Sequence, residues 1–448
     1  MAVISPFRAW RYDPERVEVR QVVTQPYDKI TPEMQERYYE ASPYNLVRII
    51  LGKRRPEDGD GDNVYSRAAL AFGNWRQTGV LRRDAEPSIY RYSQSFAIPG
   101  KGPETLAERH GFIALGRIEP YSAGVVFRHE QTLAKPKADR LDLLRATKAH
   151  FGQIFMLYGG EGRVDGDLRS ATADRPPDIE LTDEYNVLHR VWKVSNASVI
   201  ASVQQQMRDK KLIIADGHHR YETALTYRNE RVAEAETGSG LPVAYDSVMM
   251  TFVDMDGPSS DGRTTPSPGL LILPTHRVVF GLRSFSPAEL QAEAKRYFNV
   301  EEVDADIDAG RAAAILRQAG HAGTALLAVT ADRAFLLHSP KAIGSSLFGK
   351  LSLRQQALDV VQLHKCLLEG ALKISEEAIR DQENVSYYRE ASDALAQVRS
   401  AKAQAAFLMN PVPIDQLRHL AFAGEVLPQK STDFYPKLLS GLTIYALQ

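Results

Sequence analysis

The densest group of chemically capable side chains is Asp216-Gly217-His218-His219-Arg220-Tyr221: a carboxylate, two imidazoles and a guanidinium around one glycine. It follows the apolar run Lys211 to Ala215, which reads as a short strand. It precedes Tyr221, Ala224, Leu225 and Arg228, which keep helical spacing. A strand that ends in glycine and gives way at once to a helix leaves unpaired backbone N–H groups and the positive helix end at the turn, where anions bind. Gly217 lets the backbone approach a phosphate closely. Arg220 offers a planar fork to two phosphate oxygens, and His218 and His219 donate hydrogen bonds or exchange protons near neutral pH. Asp216 is a candidate general base or magnesium ligand. The plainer alternative makes Asp216 a helix cap, Arg220 a surface residue and the histidines structural; two histidines and an arginine on one strand-helix junction favour function. Zinc on the histidine pair is disfavoured, because adjacent residues rarely share a metal and typical sites space their histidines about three to five residues apart.

Three other groups carry similar potential. His129-Glu130-Gln131-Thr132 follows the apolar Val125-Val126-Phe127 and is expected where a strand gives way to a loop. It is not a zinc-protease motif, since Leu133 stands where a second histidine is needed. His129 and Glu130 can still supply a base or a magnesium ligand, with structural pairing as the alternative. Thr275-His276-Arg277 ends the run Leu270 to Leu273 and offers two anion donors, or else a buried structural histidine. Lys430-Ser431-Thr432, with Lys437, lies in a polar, proline-bounded loop whose ammonium and hydroxyl groups suit a second phosphate or a carboxylate. The neighbouring Phe434 and Tyr435 imply that this loop packs down as a lid. The motifs at 129, 216 to 220, 276 and 430 to 432 are expected to meet in one cleft. Asp58-Gly59-Asp60-Gly61-Asp62 is an acidic surface loop: a calcium loop would need glycine and glutamate where Asn63 and Ala69 stand.

Several elements must position these groups. The chain has 448 residues, 44% hydrophobic and 25% charged, enough for two or three structural units. With 55 basic against 56 acidic residues, the net charge of -1 gives no overall pull toward nucleic acid or anionic membrane, so neither is expected as a partner. The single cysteine, Cys366, excludes an intramolecular disulfide and a cysteine-rich metal cage; its flanks Leu363 and Leu367 predict a buried packing residue. No run approaches a membrane span and the first residues lack a signal-peptide pattern, so a cytoplasmic location is expected. Four stretches are predicted: an N-terminal α+β unit over 1–165, a core with the phosphate-binding turn over 178–282, a small α/β subdomain over 283–345, and a helical C-terminal region over 346–448 that returns to the site. Thr31-Pro32-Glu33-Met34 predicts a capped helix running toward Glu40. Ser286 to His338 predicts helix, strand, helix, strand, strand, and the loose stretch Met255 to Pro268 reads as a mobile loop.

Ile213 to Ala224 resembles the phosphate-binding turn of the ParB and sulfiredoxin superfamily, whose members include partition proteins, sulfiredoxin and free-serine kinases. Over nearly its full length the chain is similar to the uncharacterised domain-of-unknown-function family number 1015. The pieces that carry this are Gln25-Pro26-Tyr27-Asp28, Ser42-Pro43-Tyr44-Asn45-Leu46-Val47-Arg48, His129-Glu130-Gln131-Thr132, Asp139-Arg140-Leu141-Asp142-Leu143-Leu144-Arg145, the 216–221 turn, Leu273-Pro274-Thr275-His276-Arg277 and Pro428-Gln429-Lys430-Ser431-Thr432. Leu427, where methionine is usual, and Asp433, where tyrosine or threonine is common, depart from the pattern. The resemblance implies an α+β protein with a ParB/sulfiredoxin-like core, an N-terminal α+β unit and an inserted or appended α/β subdomain. It also places Tyr27 and Asp28 on the opposite wall of the site and makes serine or phosphoserine the first substrate guess.

The reading that results is phosphoryl transfer or phosphoester hydrolysis on a small polar metabolite, by a kinase or phosphatase using a nucleotide (ATP or ADP) and Mg2+. Arg220, Gly217, His218, His219, Lys430, Ser431 and Thr432 would hold phosphates. Glu130 or Asp216 would act as base or magnesium ligand, His129 or His218 would carry protons, and Tyr27, Asp28, His276, Arg277 and Lys437 would contact substrate. A non-catalytic, nucleotide-gated binding protein is the first alternative; a metal-dependent hydrolase using His129, Glu130, His218 and His219 is the second. No Walker loop, dinucleotide fingerprint or protein-kinase signature is present.

Overall fold

The computed structural model describes residues 1–102, 104–131, 134–234, 243–257, 267, 269–342 and 347–447, without the side chains of 134–136. Most of the predicted loop of 255–268 therefore lies outside the described residues. The chain divides into two compact units: one of Met1–Arg128, Thr132–Leu271 and Pro436–Gln448, the other of His129–Gln131 and Ile272–Tyr435. The four predicted stretches are distributed over these two, with Pro436–Gln448 returning to the first unit.

The first unit is built on a nine-stranded mixed sheet. In spatial order its main path runs through strands Val126–Phe127, Leu212–Asp216, Ile154–Tyr158, Ser247–Asp254, Leu106–Arg117, Ile89–Ala97, Leu188–Val194 and Ile179–Thr182. Two neighbouring pairs are parallel, Leu212–Asp216 with Val126–Phe127 and Ser247–Asp254 with Ile154–Tyr158; the other pairs are antiparallel. Helices Arg163–Thr172, Ala197–Met207 and His218–Glu234 contribute Val164, Leu168, Val203, Met207, Tyr221 and Ala224 to one apolar core with Phe112, Met156, Leu212, Ile214 and Phe252 from the sheet. Burying a large apolar side chain is worth about 1.5–3 kcal/mol, so this layer fixes the helix that follows the glycine turn. A second core packs Tyr12, Leu46, Phe72, Trp75, Phe151 and Ile444 around helix Val64–Gln77. Helix Pro32–Ala41 starts as its sequence predicts, Thr31 accepting from the Met34 amide.

The second unit carries a six-stranded antiparallel sheet in the order Asn299–Val303, Ala334–His338, Ala325–Val329, Ala405–Met409, His276–Val279, Val385–Tyr388. Alternate residues of its central strands divide between two cores. Leu326, Ala328, Phe335 and Phe407 join one; Ala325, Leu327, Ala406 and Leu408 join the other. Strands covered on both faces read as continuous apolar runs, as Ala325–Val329 does. The order helix, strand, helix, strand, strand from Pro287 to His338 is as expected. Its strands, however, are continued by three more in one sheet, so this segment is half of a larger layer. Cys366 is buried in that packing.

Candidate active site

In the first unit, the register between Leu212–Asp216 and Ile154–Tyr158 shifts between Ile214, opposite Met156, and Asp216, opposite Phe155. This bulge decides which way the acid points. Side chains alternate along a strand, so without it Asp216 would share the face of Leu212 and Ile214, inside the apolar core. The extra residue, Ala215, turns the carboxylate to the other face, where Arg109 lies over the Phe155 ring. Gly217 follows with φ +92, a left-handed conformation that favours glycine. A Cβ there would also stand 3.1 Å from the Arg220 guanidinium, so the arginine packs directly on the glycine.

Arg220 donates from Nη2 to Asp216 Oδ2 at 2.9 Å and from Nη1 to the Gln153 carbonyl. Lys437 Nζ stands 3.6 Å from the other carboxylate oxygen, and the lysine is nine-tenths buried. Burial alone would raise the Asp216 pKa, but Lys437, then Arg220, Lys29 and His218, hold the carboxyl well below the usual range. It is therefore ionised at neutral pH. The lysine is set by its backbone. Gln94 Nε2 donates to the Lys437 carbonyl at 2.8 Å and Arg109 Nη2 to the Pro436 carbonyl at 2.5 Å. Gln94 and Arg109 face each other across neighbouring strands, and His189 opposes Gln94 from the next. Burial pushes the Arg109 guanidinium down to about 10. His189 in turn bonds Tyr92 at 2.7 Å and Asp183 at 3.2 Å. Tyr27 is half-buried, its ring under the Arg140 guanidinium at 4.1 Å, and burial raises its hydroxyl to about 12. Asp28 is exposed on the same turn; His218 is buried and His219 half-buried.

The second unit gathers the remaining predicted residues. Glu130 Oε1 accepts from the Ser431 amide at 3.0 Å, the Thr432 amide at 2.9 Å and the Thr432 hydroxyl at 2.8 Å. His129, fully buried, meets the Thr432 hydroxyl at 2.8 Å, and its carbonyl accepts from the Leu427 amide. Lys430 is exposed, with φ +59 in the left-handed region. Its carbonyl accepts from Arg277 Nη2 at 3.2 Å, and Arg277 is fully buried against Thr275, His364 and the Tyr387 ring. Burial pushes Arg277 down to about 10 and His276 to about 4, the latter accepting from the Met409 amide. These groups satisfy one another and hold the 428–432 loop in one shape.

The predicted residues thus fall into two sets: Tyr27, Asp28, Asp216, Gly217, His218, His219, Arg220 and Lys437 in one unit, and His129, Glu130, His276, Arg277, Lys430, Ser431 and Thr432 in the other. Sequence reasoning missed Arg109, Gln94, Gln153 and Lys29. Among the described residues, no group of three or more His, Cys, Asp or Glu side chains is arranged to hold a metal ion. Asp216, between Arg220 and Lys437, and Glu130, with one oxygen accepting three bonds, do not fit a protein-built magnesium cage, which needs several oxygen ligands at about 2.0–2.1 Å. No helix among the described residues is long and apolar enough to cross a membrane.

No curated protein matches the chain. Among solved structures, free serine kinase in complex with AMP is similar at 13% identity and a TM-score of 0.33, over 71% of this chain and 88% of that one. A conserved hypothetical protein from Pyrococcus furiosus is similar at 12% and 0.32, over 71% and 92%. C-terminally truncated SbnI from Staphylococcus aureus is similar at 9% and 0.31, over 74% and 87%. Residues 4–361 match the family described as "Protein of unknown function (DUF1015)", and the chain belongs to that family.

Proposed function

We propose that the Gly217 turn binds a phosphate group and that the chain transfers or hydrolyses a phosphoryl group on a small polar metabolite. Serine and phosphoserine are the first substrates to test, and ADP or ATP the first nucleotides. The observation that carries this is the pair of cations, Arg220 and Lys437, on the two oxygens of Asp216 at a strand-glycine-helix turn. The dipole of helix His218–Glu234 and its first amides add to that positive end. The resemblance of this turn to the phosphate-binding turn of the ParB and sulfiredoxin superfamily supports the same reading.

The geometry suggests an exchange. A phosphate that enters takes Arg220 and Lys437 into charge-assisted bonds, and Asp216 loses part of the field that keeps it ionised. Its proton affinity then rises, which suits it to accept a proton from a substrate hydroxyl once phosphate is bound. His218, beside it, can pass that proton on. Within the other unit, Lys430, Ser431 and Thr432 are candidates for an anion contact of their own, with Glu130 as the residue that positions their loop. Magnesium, where the reaction uses it, would find most of its ligands on phosphate oxygens and water.

The test is calorimetric titration of the protein with ADP, ATP and phosphoserine, with and without magnesium, followed by phosphorus NMR of mixtures with serine. Binding that Arg220→Ala weakens about tenfold or more, and transfer or release of phosphate, are expected. No binding of any phosphate ester to the wild type refutes the reading.

A further inference from the structure

Beside the Gly217 turn, the first unit contains a cleft of about 70 Å³, walled by Tyr27, Ile50, Phe151, Arg220 and Thr223. Arg220 lines one part of it, so the proposed phosphate site and the cleft share a wall. The remaining lining is mostly apolar: Ile50, Leu144, Phe151 and Val248 are all buried. A phosphate has no use for such walls. The body to which the phosphate is attached does.

Two polar features narrow the chemistry of that body. Thr223, on the cleft side of helix His218–Glu234, is only 5% exposed, and its hydroxyl has no hydrogen-bond partner among the described residues. A buried hydroxyl left unpaired costs about 1–3 kcal/mol, and a threonine in a helix ordinarily satisfies itself on the preceding turn. A ligand group that donates to or accepts from it would remove that cost. Tyr27, the other feature, presents an aromatic wall whose orientation is fixed. Arg140 lies on its ring, and that guanidinium is itself tied to Asp139 at 2.9 Å and to the Ile50 carbonyl at 2.6 Å. Nor does His150 bring charge into the cleft, since burial holds its pKa at about 4 and its ring stacks on Tyr445.

An apolar slot with one aromatic wall, an unmet hydroxyl and a cationic end complements a flat, uncharged heterocycle joined to a phosphate. We infer that the cleft lined by Tyr27, Thr223, Phe151 and Val248 holds the base of a nucleotide whose phosphate rests on the Gly217–Arg220 turn. This rests on the proposed phosphate site, and it places the nucleotide as a unit rather than the phosphate alone. The small metabolite then meets the phosphate from the Lys437 side.

The experiment is calorimetry with four probes: AMP, ribose 5-phosphate, adenosine and inorganic phosphate. The proteins are the wild type, Thr223→Val and Arg220→Ala. AMP is expected to bind at least tenfold tighter than ribose 5-phosphate. Thr223→Val, which keeps shape and removes the hydroxyl, should weaken AMP and adenosine severalfold and leave ribose 5-phosphate unchanged, with no loss in Tm. Arg220→Ala should weaken AMP and ribose 5-phosphate and spare adenosine. Equal affinity for AMP and ribose 5-phosphate overturns the cleft assignment while leaving the phosphate site standing, and so does AMP binding indifferent to Thr223→Val. Adenosine that binds and responds to Thr223→Val, with no binding of ribose 5-phosphate or phosphate, keeps the cleft and removes the phosphate site.

Discussion

Lys437 Nζ and Asp216 Oδ1 lie 3.6 Å apart, brought together by a C-terminal segment that returns to the sheet carrying the glycine turn. The ammonium is nearly buried, so its charge acts through little water and is screened only weakly. It therefore counts as fully as Arg220 in any anion site at the turn. Lys437→Met should weaken phosphate-ester binding by about tenfold or more, the scale of a lost charge-assisted bond. It should also raise the Asp216 pKa, read from the acid limb of the pH dependence of binding or activity. Unchanged affinity would take Lys437 out of the site.

Asp216→Asn separates the two halves of the proposed exchange. The carboxylate now competes with an incoming phosphate for Arg220 and Lys437. Its neutral isostere competes less, so phosphate binding should tighten severalfold while turnover falls by a factor of about 10² or more, the scale of general-base catalysis. Tighter binding with full turnover would confine Asp216 to a structural role. Weaker binding would mean that the acid orients the cations more than it opposes the phosphate.

How much of this the sequence revealed depends on how local the cause is. Gly217 at a strand end, Thr31 before Pro32 and the element order from Pro287 to His338 are set by neighbours in the chain, and each was legible. The bulge at Ala215 was not. Leu212 to Asp216 alternates as any strand would, and only the partner strand reveals that Asp216 changes face. Arg109, Gln94 and His189 are polar residues set among Tyr90, Tyr92, Phe96 and Ile113 on one buried face, and only the partner strands and a returning segment show what they bond there. Lys437 was picked out in company with Lys430, yet it belongs to the unit of Arg220 and Lys430 to the other, because the unit boundary falls between Tyr435 and Pro436.

That buried row should act as a clamp. Arg109 donates to both Gln94 and the Pro436 carbonyl, and Gln94 donates to the Lys437 carbonyl. Arg109→Met would leave two buried acceptors without their charged donor, at roughly 2–4 kcal/mol, and release the segment that carries Lys437. A fall in Tm should accompany weaker phosphate binding. Arg109→Lys should not restore either, since one ammonium cannot reproduce the planar fork. Loss of stability with undiminished affinity at the turn would show that Lys437 does not depend on the clamp.

Stability should fall with acid in a window set by two histidines held neutral in the fold. His150 in one unit and His276 in the other are each pushed down to about 4 by burial, against about 6.5 in the unfolded chain. Between those values the unfolded state binds more protons than the folded one, so stability rises with pH across that range and is lost as pH falls from about 6.5 toward 4. Each group contributes a slope of up to about 1.4 kcal/mol per pH unit. Denaturant midpoints measured from pH 7.5 to 4.5 should drop steadily, and His150→Gln or His276→Gln should flatten the slope. A midpoint constant over that range would contradict the assignment of both imidazoles as neutral.

The role of Glu130 is settled by comparing two substitutions. Its Oε1 accepts three donors from Ser431 and Thr432, which makes it the fixed point of the 428–432 loop. Gln keeps an oxygen that can accept those bonds, whereas Ala leaves two backbone amides and a hydroxyl unmet. Glu130→Ala should therefore cost about 2–3 kcal/mol and raise hydrogen exchange and protease cleavage around 428–432. Glu130→Gln should preserve the loop by the same measures. Turnover then discriminates: a loss in Glu130→Gln with loop protection intact assigns the charge to the reaction, as the sequence first suggested for this acid. Turnover that survives in Glu130→Gln and fails only in Glu130→Ala assigns it to positioning Lys430, Ser431 and Thr432, with Asp216 left as the base.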